Sequence, residues 1–327
     1  MANIVITQKC IRSCPYCFAS KYLKDEGGEF MSWDNFLYVL DFYRFNGNPS
    51  VSIMGGEPSI HPHFLEFLEY ALKRMSDLTI FTSGIMSHDK VLGLKELLNH
   101  KDFKKRTHIV CNMNEPAITP AAERARLDDF LAHVGDAVCP GFNIYKEDFD
   151  LSFLFLDIAR YRMRRRVRLS MAHPIYGKDN AHIAPDRFVA VVERLASFLP
   201  QFEAMKTIPA LDCGFPICAF SDEILGKFAR SGATFHWQCA PVIDIGPDLS
   251  IWPCFPLFAY NKQSLFDFNT FHEINEFFIK LVQHETRGNL GVFEECDSCE
   301  MTWRELCSGG CLANYIPADN IRLLQAP

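Results

Sequence analysis

Thirteen cysteines in 327 residues constrain this chain more than any other feature. Cys10, Cys14 and Cys17 open the chain, eight lie between residues 213 and 311, and Cys111 and Cys139 fall in the long middle. Disulfides belong to oxidising compartments and to small domains short of a core. The start, Met-Ala-Asn-Ile-Val-Ile-Thr, lacks the charged beginning and apolar centre of an export signal. A hydrophobic share of 48% at this length supplies an ample core. The chain therefore reads as cytoplasmic, with reduced thiols that serve as ligands. Charged residues at 22% exclude wholesale disorder, and a net charge of −7 argues against a general nucleic-acid binder. No apolar run reaches the roughly 18 to 20 residues that span a bilayer.

Up to about residue 200, short apolar runs alternate with amphipathic stretches. The runs predict strands at Ile4–Thr7, Val51–Met54, Leu78–Thr82, His108–Asn112, Val138–Ile144 and Val167–Met171. Helical periodicity predicts helices at Trp33–Phe45, Pro62–Met75, Lys90–Leu98, Ala121–Val134, Leu151–Met163 and Pro185–Leu199. Six strand–helix units in series predict a parallel α/β sheet, either an open partial barrel or a doubly wound sheet. Beyond about residue 204 the periodicity weakens, Pro, Gly and Cys become frequent, and Thr270–His284 alone reads clearly as a helix. The expected division is a domain over 1–204 and an irregular one over 205–327 organised by bound metal. Six arginines between 160 and 168 read as a solvated helix end or as a grip on an acidic substrate.

Cys10-Ile-Arg-Ser-Cys14-Pro-Tyr-Cys17 directly follows the first strand. Three thiolates on one short loop can meet at one metal centre, but structural zinc wants four ligands and the nearest His is His61. A four-iron cluster held by three cysteines leaves one iron open for chemistry. This CxxxCxxC loop, with aromatic Tyr16 before its last cysteine, resembles that of the radical SAM enzymes. The resemblance implies a partial (β/α)6 TIM-like barrel and a 4Fe-4S cluster whose open iron binds S-adenosylmethionine. Reductive cleavage of that cofactor would give a 5′-deoxyadenosyl radical. Met54-Gly55-Gly56-Glu57-Pro58, after the second strand, is similar to the GGEP segment of the same family. There the glycines would let backbone approach the cofactor and Glu57 would receive its ammonium group. Thr82-Ser83-Gly84 and Asn112-Met113-Asn114 match later strand-end motifs more weakly, and they make Ser83 and Asn112 candidate cofactor contacts.

Cys213, Cys218, Cys239, Cys254, Cys296, Cys299, Cys307 and Cys311 remain, twice the ligand count of a fully coordinated cluster. Cys239-x14-Cys254 and Cys296-x2-Cys299-x7-Cys307-x3-Cys311 resemble the SPASM extension of radical SAM enzymes. That resemblance implies two auxiliary 4Fe-4S clusters, although CxxC pairs serve zinc as well. The chain departs from the pattern in three places. Seven residues separate Cys299 from Cys307 where five are usual, Leu249 stands near the expected turn glycine, and no cysteine follows Cys311. Cys213 and Cys218 would make good the shortage. One would join Cys239, Cys254 and Cys311 and the other Cys296, Cys299 and Cys307, the assignment being open.

Many relatives of this kind oxidise or crosslink residues of a peptide or protein. The expected substrate is therefore a peptide or protein side chain that loses a hydrogen atom and is oxidised, crosslinked or epimerised. The alternative is a small molecule such as a sugar, amino acid or cofactor precursor. Cys111 and Cys139 are candidate hydrogen donors for an epimerisation, or else small buried core residues. Asp212, His236, Asp244, His173 and Tyr176 are candidate acid–base groups. A flavodoxin- or ferredoxin-type reductant is the expected electron source. Only nine residues precede Cys10 in this sequence, so a leader peptide would need a separate binding protein, direct docking, or would be absent.

Overall fold

The computed structural model describes residues 3–25, 29–175, 180–289 and 291–314. Tyr176 lies outside the described residues. Ten strands join one sheet. They are β1 (Asn3–Val5), β2 (Ser50–Met54), β3 (Asp77–Thr82), β4 (Thr107–Asn112), β5 (Val138–Ile144), β6 (Arg166–Met171), β7 (Ile208–Leu211), β8 (Asp244–Ile245), β9 (Ser250–Trp252) and β10 (Gln263–Ser264). Strands β1 to β7 run parallel in chain order. On the other side of β1 the order continues β8, β9, β10, with β8 parallel to β1 and the rest antiparallel. All six strands expected from the sequence form, as a partial α/β barrel. The sheet continues past residue 204 at both flanks, through β7 and through β8.

The helices are α1 (Ser20–Asp25), α2 (Trp33–Phe45), α3 (Phe64–Arg74), α4 (His88–Asn99), α5 (Lys101–Arg106), α6 (Ala121–Val134), α7 (Ser152–Tyr161), α8 (Phe188–Ala196), α9 (Leu199–Ala204), α10 (Asp222–Arg230), α11 (Phe271–Asn289) and α12 (Glu300–Trp303). Helix α2 shows why such segments form. Ser32 caps it by accepting from the Asn35 amide at 3.1 Å, and Phe36, Val39, Leu40 and Tyr43 place a buried stripe at helical spacing. That stripe meets α3, where Phe36 stacks on Phe67 with ring centroids 3.9 Å apart. The helix expected over Pro185–Leu199 is instead broken. A 3₁₀ turn at Pro185–Arg187 leads into α8, and α9 starts at Leu199 with Pro200 in its first turn. Pro200 opens a helix because a first-turn proline needs no amide donor.

Strands β3 and β4 alternate between a buried face under the helices and a half-buried face toward the barrel interior. A second aromatic cluster joins α1 to β9 and the segment after it. Tyr22 of α1 packs on Trp252, Phe255 and Phe258 at centroid distances of 5.0, 5.6 and 4.9 Å. The helix leaving the Cys10–Cys17 loop is thereby clamped to the cysteine-rich region.

Asp244 lies at the start of β8, opposite Asn3, whose Nδ2 donates to it at 2.7 Å. Burial pushes its carboxyl up to about 7, against an ordinary 3.8. The folded chain then holds a proton that the unfolded chain has lost, so stability falls as pH rises through that window. The full effect is on the order of 4 kcal/mol. Denaturant titrations at pH 4 to 8 should show this slope in the wild type and a flattened one in Asp244→Asn. An unchanged slope would exonerate Asp244. Asp244 lies at the far end of β1 from the cysteine loop.

Candidate active site

The cysteine loop is braced by an extension of the β1–β2 ladder. Ile6 donates its amide to Met54 O, Gly56 to Thr7 O and Glu57 to Lys9 O, each at 2.9 Å. A Cβ on Gly55 would lie 2.7 Å from Thr7 O, and one on Gly56 would lie 2.3 Å from Lys9 O and 2.8 Å from the Cys10 Cβ. Residues 55–56 thus lie against the cysteine loop itself, an approach that only glycine allows.

Cys10, Cys14 and Cys17 line one cavity of about 100 Å³ together with Gly55, Gly56, Ser83, Asn112 and Asn143. The Arg12 amide lies 3.4 Å from Cys10 Sγ. Burial pushes the Cys10 thiol up to about 11, only partly offset by that N–H. A thiol so placed ionises when a metal replaces its proton. The Tyr16 hydroxyl donates to Asn114 Oδ1, and Asn114 Nδ2 reaches Cys14 Sγ at 3.7 Å. The Tyr16 ring stacks on Tyr145 at 4.8 Å.

Glu57 is 1% exposed and fully engaged. Its Oε1 accepts from Thr82 Oγ1 at 2.7 Å and the Ser59 amide at 3.1 Å, and its Oε2 from the Ser83 amide and hydroxyl at 2.7 and 2.6 Å. In this arrangement Glu57 brackets the ends of β2 and β3. Ser83 forms part of the cavity wall in front of it. Asn112 also lines the cavity, and its Oδ1 is buried without a hydrogen-bond partner among the described residues. Arg12, Asn114 and Asn143 were missed in the sequence. Arg12 pairs with Glu123 at 2.8 Å and donates to Asn112 O at 3.3 Å, tying the cysteine loop to α6 and β4.

Cys111 and Cys139 stand apart from the cavity. Cys111 is fully buried on the helix side of β4, near Gly84, Leu127 and Phe130. Cys139 is the second residue of β5, four residues and roughly 13 Å below Asn143, with its Sγ 3.1 Å from Arg166 O.

The eight later thiols fall into two groups. Cys213 lies within electrostatic reach of Cys311 and Cys239, and Cys254 of the same two. Cys218 lies within reach of Cys296, Cys307 and Cys299. Enclosure raises Cys254 and Cys311, the latter to about 12, with the neighbouring thiols adding to it. Cys213 keeps solvent contact while protein surrounds its thiol more widely, which raises it. Leu249 adopts φ +62°, the left-handed conformation of the missing turn glycine, and Asp248 holds that turn by accepting from Ser250 N at 3.1 Å. The long Cys299–Cys307 spacing accommodates the single turn α12 and a left-handed Glu305. A recess of about 570 Å³, lined by Cys239, Cys296 and Cys307, joins the two groups. Among the described residues no three His, Cys, Asp or Glu side chains close on a single metal ion.

Of the acid–base candidates, His173 is buried with Nε2 3.5 Å from Cys213 O, and burial lowers it to about 4. A Cβ on Gly214 would lie 1.9 Å from that Nε2. Asp212 pairs with Arg168 and accepts from Ser170 Oγ at 3.2 Å. His236 is exposed. The arginine run is largely tied down. Arg164 and Arg165 donate to Thr107 O and Met205 O at 3.1 and 3.0 Å, and Arg166 to Thr234 Oγ1 at 2.8 Å.

No helix among the described residues is long and apolar enough to cross a membrane. Over 94 residues the chain is 35% identical to the tungsten-containing aldehyde ferredoxin oxidoreductase cofactor-modifying protein of Pyrococcus furiosus, covering 28% of this chain and 25% of that protein. In fold it is similar to Streptococcus suis SuiB bound to S-adenosylmethionine, with TM-score 0.65 and 17% identity over 96% of this chain and 73% of that one. It is also similar to anSMEcpe with bound AdoMet, with TM-score 0.64 and 16% identity over 95% of this chain and 88% of that one. The sequence pattern of the Radical SAM superfamily matches residues 4–169, half of the chain and all of the strand ends that build the cavity. The chain belongs to the radical SAM superfamily.

Proposed function

We propose that this chain holds a 4Fe-4S cluster on Cys10, Cys14 and Cys17, cleaves S-adenosylmethionine reductively, and removes a hydrogen atom from a peptide or protein side chain that is then oxidised or crosslinked. The observation that carries the reading is the convergence of those three thiols on one cavity. The donor set fits, because three thiolates leave a fourth iron open, and the unpartnered Asn112 Oδ1 supplies a buried acceptor on the same wall. When bound, the cluster and S-adenosylmethionine supply the radical chemistry. The chain's own residues position them. Gly55 and Gly56 let the second strand end support the cysteine loop, Glu57 fixes Ser83, and Arg12 anchors the loop to Asn112.

We further propose one auxiliary cluster on Cys213, Cys239, Cys254 and Cys311 and another on Cys218, Cys296, Cys299 and Cys307. Four thiols each would leave no open iron, which suits accepting an electron better than ligating a substrate. Four cysteine thiolates in each group match the ligand count of a fully coordinated four-iron cluster. Cys213→Ser and Cys239→Ser should alter the same redox transition, and Cys218→Ser and Cys296→Ser the other. A shared response across the two sets would undo this partition.

A peptide substrate is supported by structures of SuiB bound to precursor peptide SuiA and of anSMEcpe with bound AdoMet and Cp18Cys peptide. Oxidation or crosslinking is preferred to epimerisation because neither Cys111 nor Cys139 lines the cavity. The Pyrococcus relative's cofactor-modifying role favours a second reading, a small-molecule substrate. Anaerobically reconstituted protein, dithionite and S-adenosylmethionine should be incubated with peptides encoded by neighbouring genes and with small metabolites of the same neighbourhood. A peptide lighter by two hydrogens, without solvent deuterium, supports the first reading. Change in a small molecule alone would reject it.

A further inference from the structure

We infer that Asn114 raises the reduction potential of the cluster on Cys10, Cys14 and Cys17, through a hydrogen bond to the Cys14 sulfur that Tyr16 keeps aligned. The inference rests on the reading of those cysteines as cluster ligands. Asn114 Nδ2 lies 3.7 Å from Cys14 Sγ, within the range of a hydrogen bond to sulfur. Its Oδ1 accepts the Tyr16 hydroxyl proton. With Oδ1 toward the Tyr16 hydroxyl, the Nδ2 end of the amide faces the Cys14 sulfur. Tyr16 is itself held by its stack on Tyr145.

The donor is carried by a stiff segment outside the cysteine loop. The Met113 amide donates to Gly141 O at 2.9 Å. Glu115 accepts from the Asp150 amide at 2.9 Å and pairs with Lys146 at 2.8 Å. Asn114 thus sits between two pinned neighbours and approaches the sulfur from the end of β4. Reduction adds one electron, from an external low-potential donor, to a cluster whose charge spreads onto its thiolates. An N–H directed at a thiolate stabilises the more negative state and so raises the potential. Without it, the cluster is harder to reduce.

The test is an anaerobic redox titration of the holoenzyme followed by electron paramagnetic resonance. The Cys10/Cys14/Cys17→Ala protein identifies the transition that belongs to this cluster. Asn114→Leu, with iron content at the wild-type level, should shift that midpoint to more negative potential. Tyr16→Phe should shift it the same way, because the hydroxyl holds Asn114 and also faces Cys14, and the double variant should shift by less than the sum of the two. Asn114→Asp keeps the shape while removing the donor, and it serves if the leucine variant loses iron. It too should move the midpoint down. A full complement of iron with an unmoved midpoint in either Asn114 variant overturns the proposal, and additive shifts overturn the part given to Tyr16. Should the triple alanine protein keep every transition, the ligand assignment fails instead.

Discussion

Replacing Cys10, Cys14 and Cys17 together by alanine is expected to abolish reductive cleavage of S-adenosylmethionine and to lower iron from about twelve to about eight atoms per chain. Both effects follow from the same geometry. The three thiols line one cavity, and the other eight lie in two groups of their own. The residual iron should keep the spectrum of fully ligated clusters. Formation of 5′-deoxyadenosine, followed by chromatography after dithionite reduction, measures the loss. Cleavage at the wild-type rate would sink the assignment. Zinc in place of the residual iron would reject the auxiliary clusters and leave the catalytic one standing.

Gly56→Ala is expected to do nearly as much damage from a residue with no side chain. Its Cβ would meet Lys9 O at 2.3 Å and Cys10 Cβ at 2.8 Å, and neither atom has a rotamer by which to move aside. Relief requires the cysteine loop to shift, breaking the hydrogen bonds that the Gly56 and Glu57 amides donate to Thr7 O and Lys9 O. Strain of this kind costs about 1–3 kcal/mol. A shift of about 1 Å at reacting groups costs roughly a hundredfold in rate. The variant should therefore fold, lose most of the iron of the first cluster and cleave at a rate lower by that factor. Denaturant midpoints and iron analysis separate the two effects. Full iron and full rate would show that the loop tolerates the displacement.

The sequence made some of this site legible because its signals are local. Cys10, Cys14 and Cys17 sit within eight residues, and the first six strands are short segments rich in apolar residues. What escaped it depends on contacts between distant positions. The Glu57 motif is visible, yet its carboxylate is claimed by Thr82 and Ser83, 25 and 26 residues away. Asn114 and Asn143 are single polar residues whose one signal is their place at or beyond a strand's C-terminal end. Cys213 and Cys218 are equally suited by spacing to either later group, and only the folded chain separates them. Strands β8 and β10, two residues each, are too short for any periodicity, and Pro209 disguises β7. Leu249 hid its turn because it takes a glycine-like conformation while packing as a core residue.

The pairing of β8 with β1 has a consequence for how the protein is made. Asn3 and Asp244 are 241 positions apart, so the strand that leads into the first cysteine loop leaves the ribosome long before its flanking partner is synthesised. During that interval β1 presents an open edge, the kind of surface that invites pairing with other chains. Closing so long a loop is slow as well as late. Shielding of the nascent amino-terminal half until the later strands arrive would prevent such pairing. Until then the helix leaving the cysteine loop also lacks Trp252, Phe255 and Phe258, on which its Tyr22 packs.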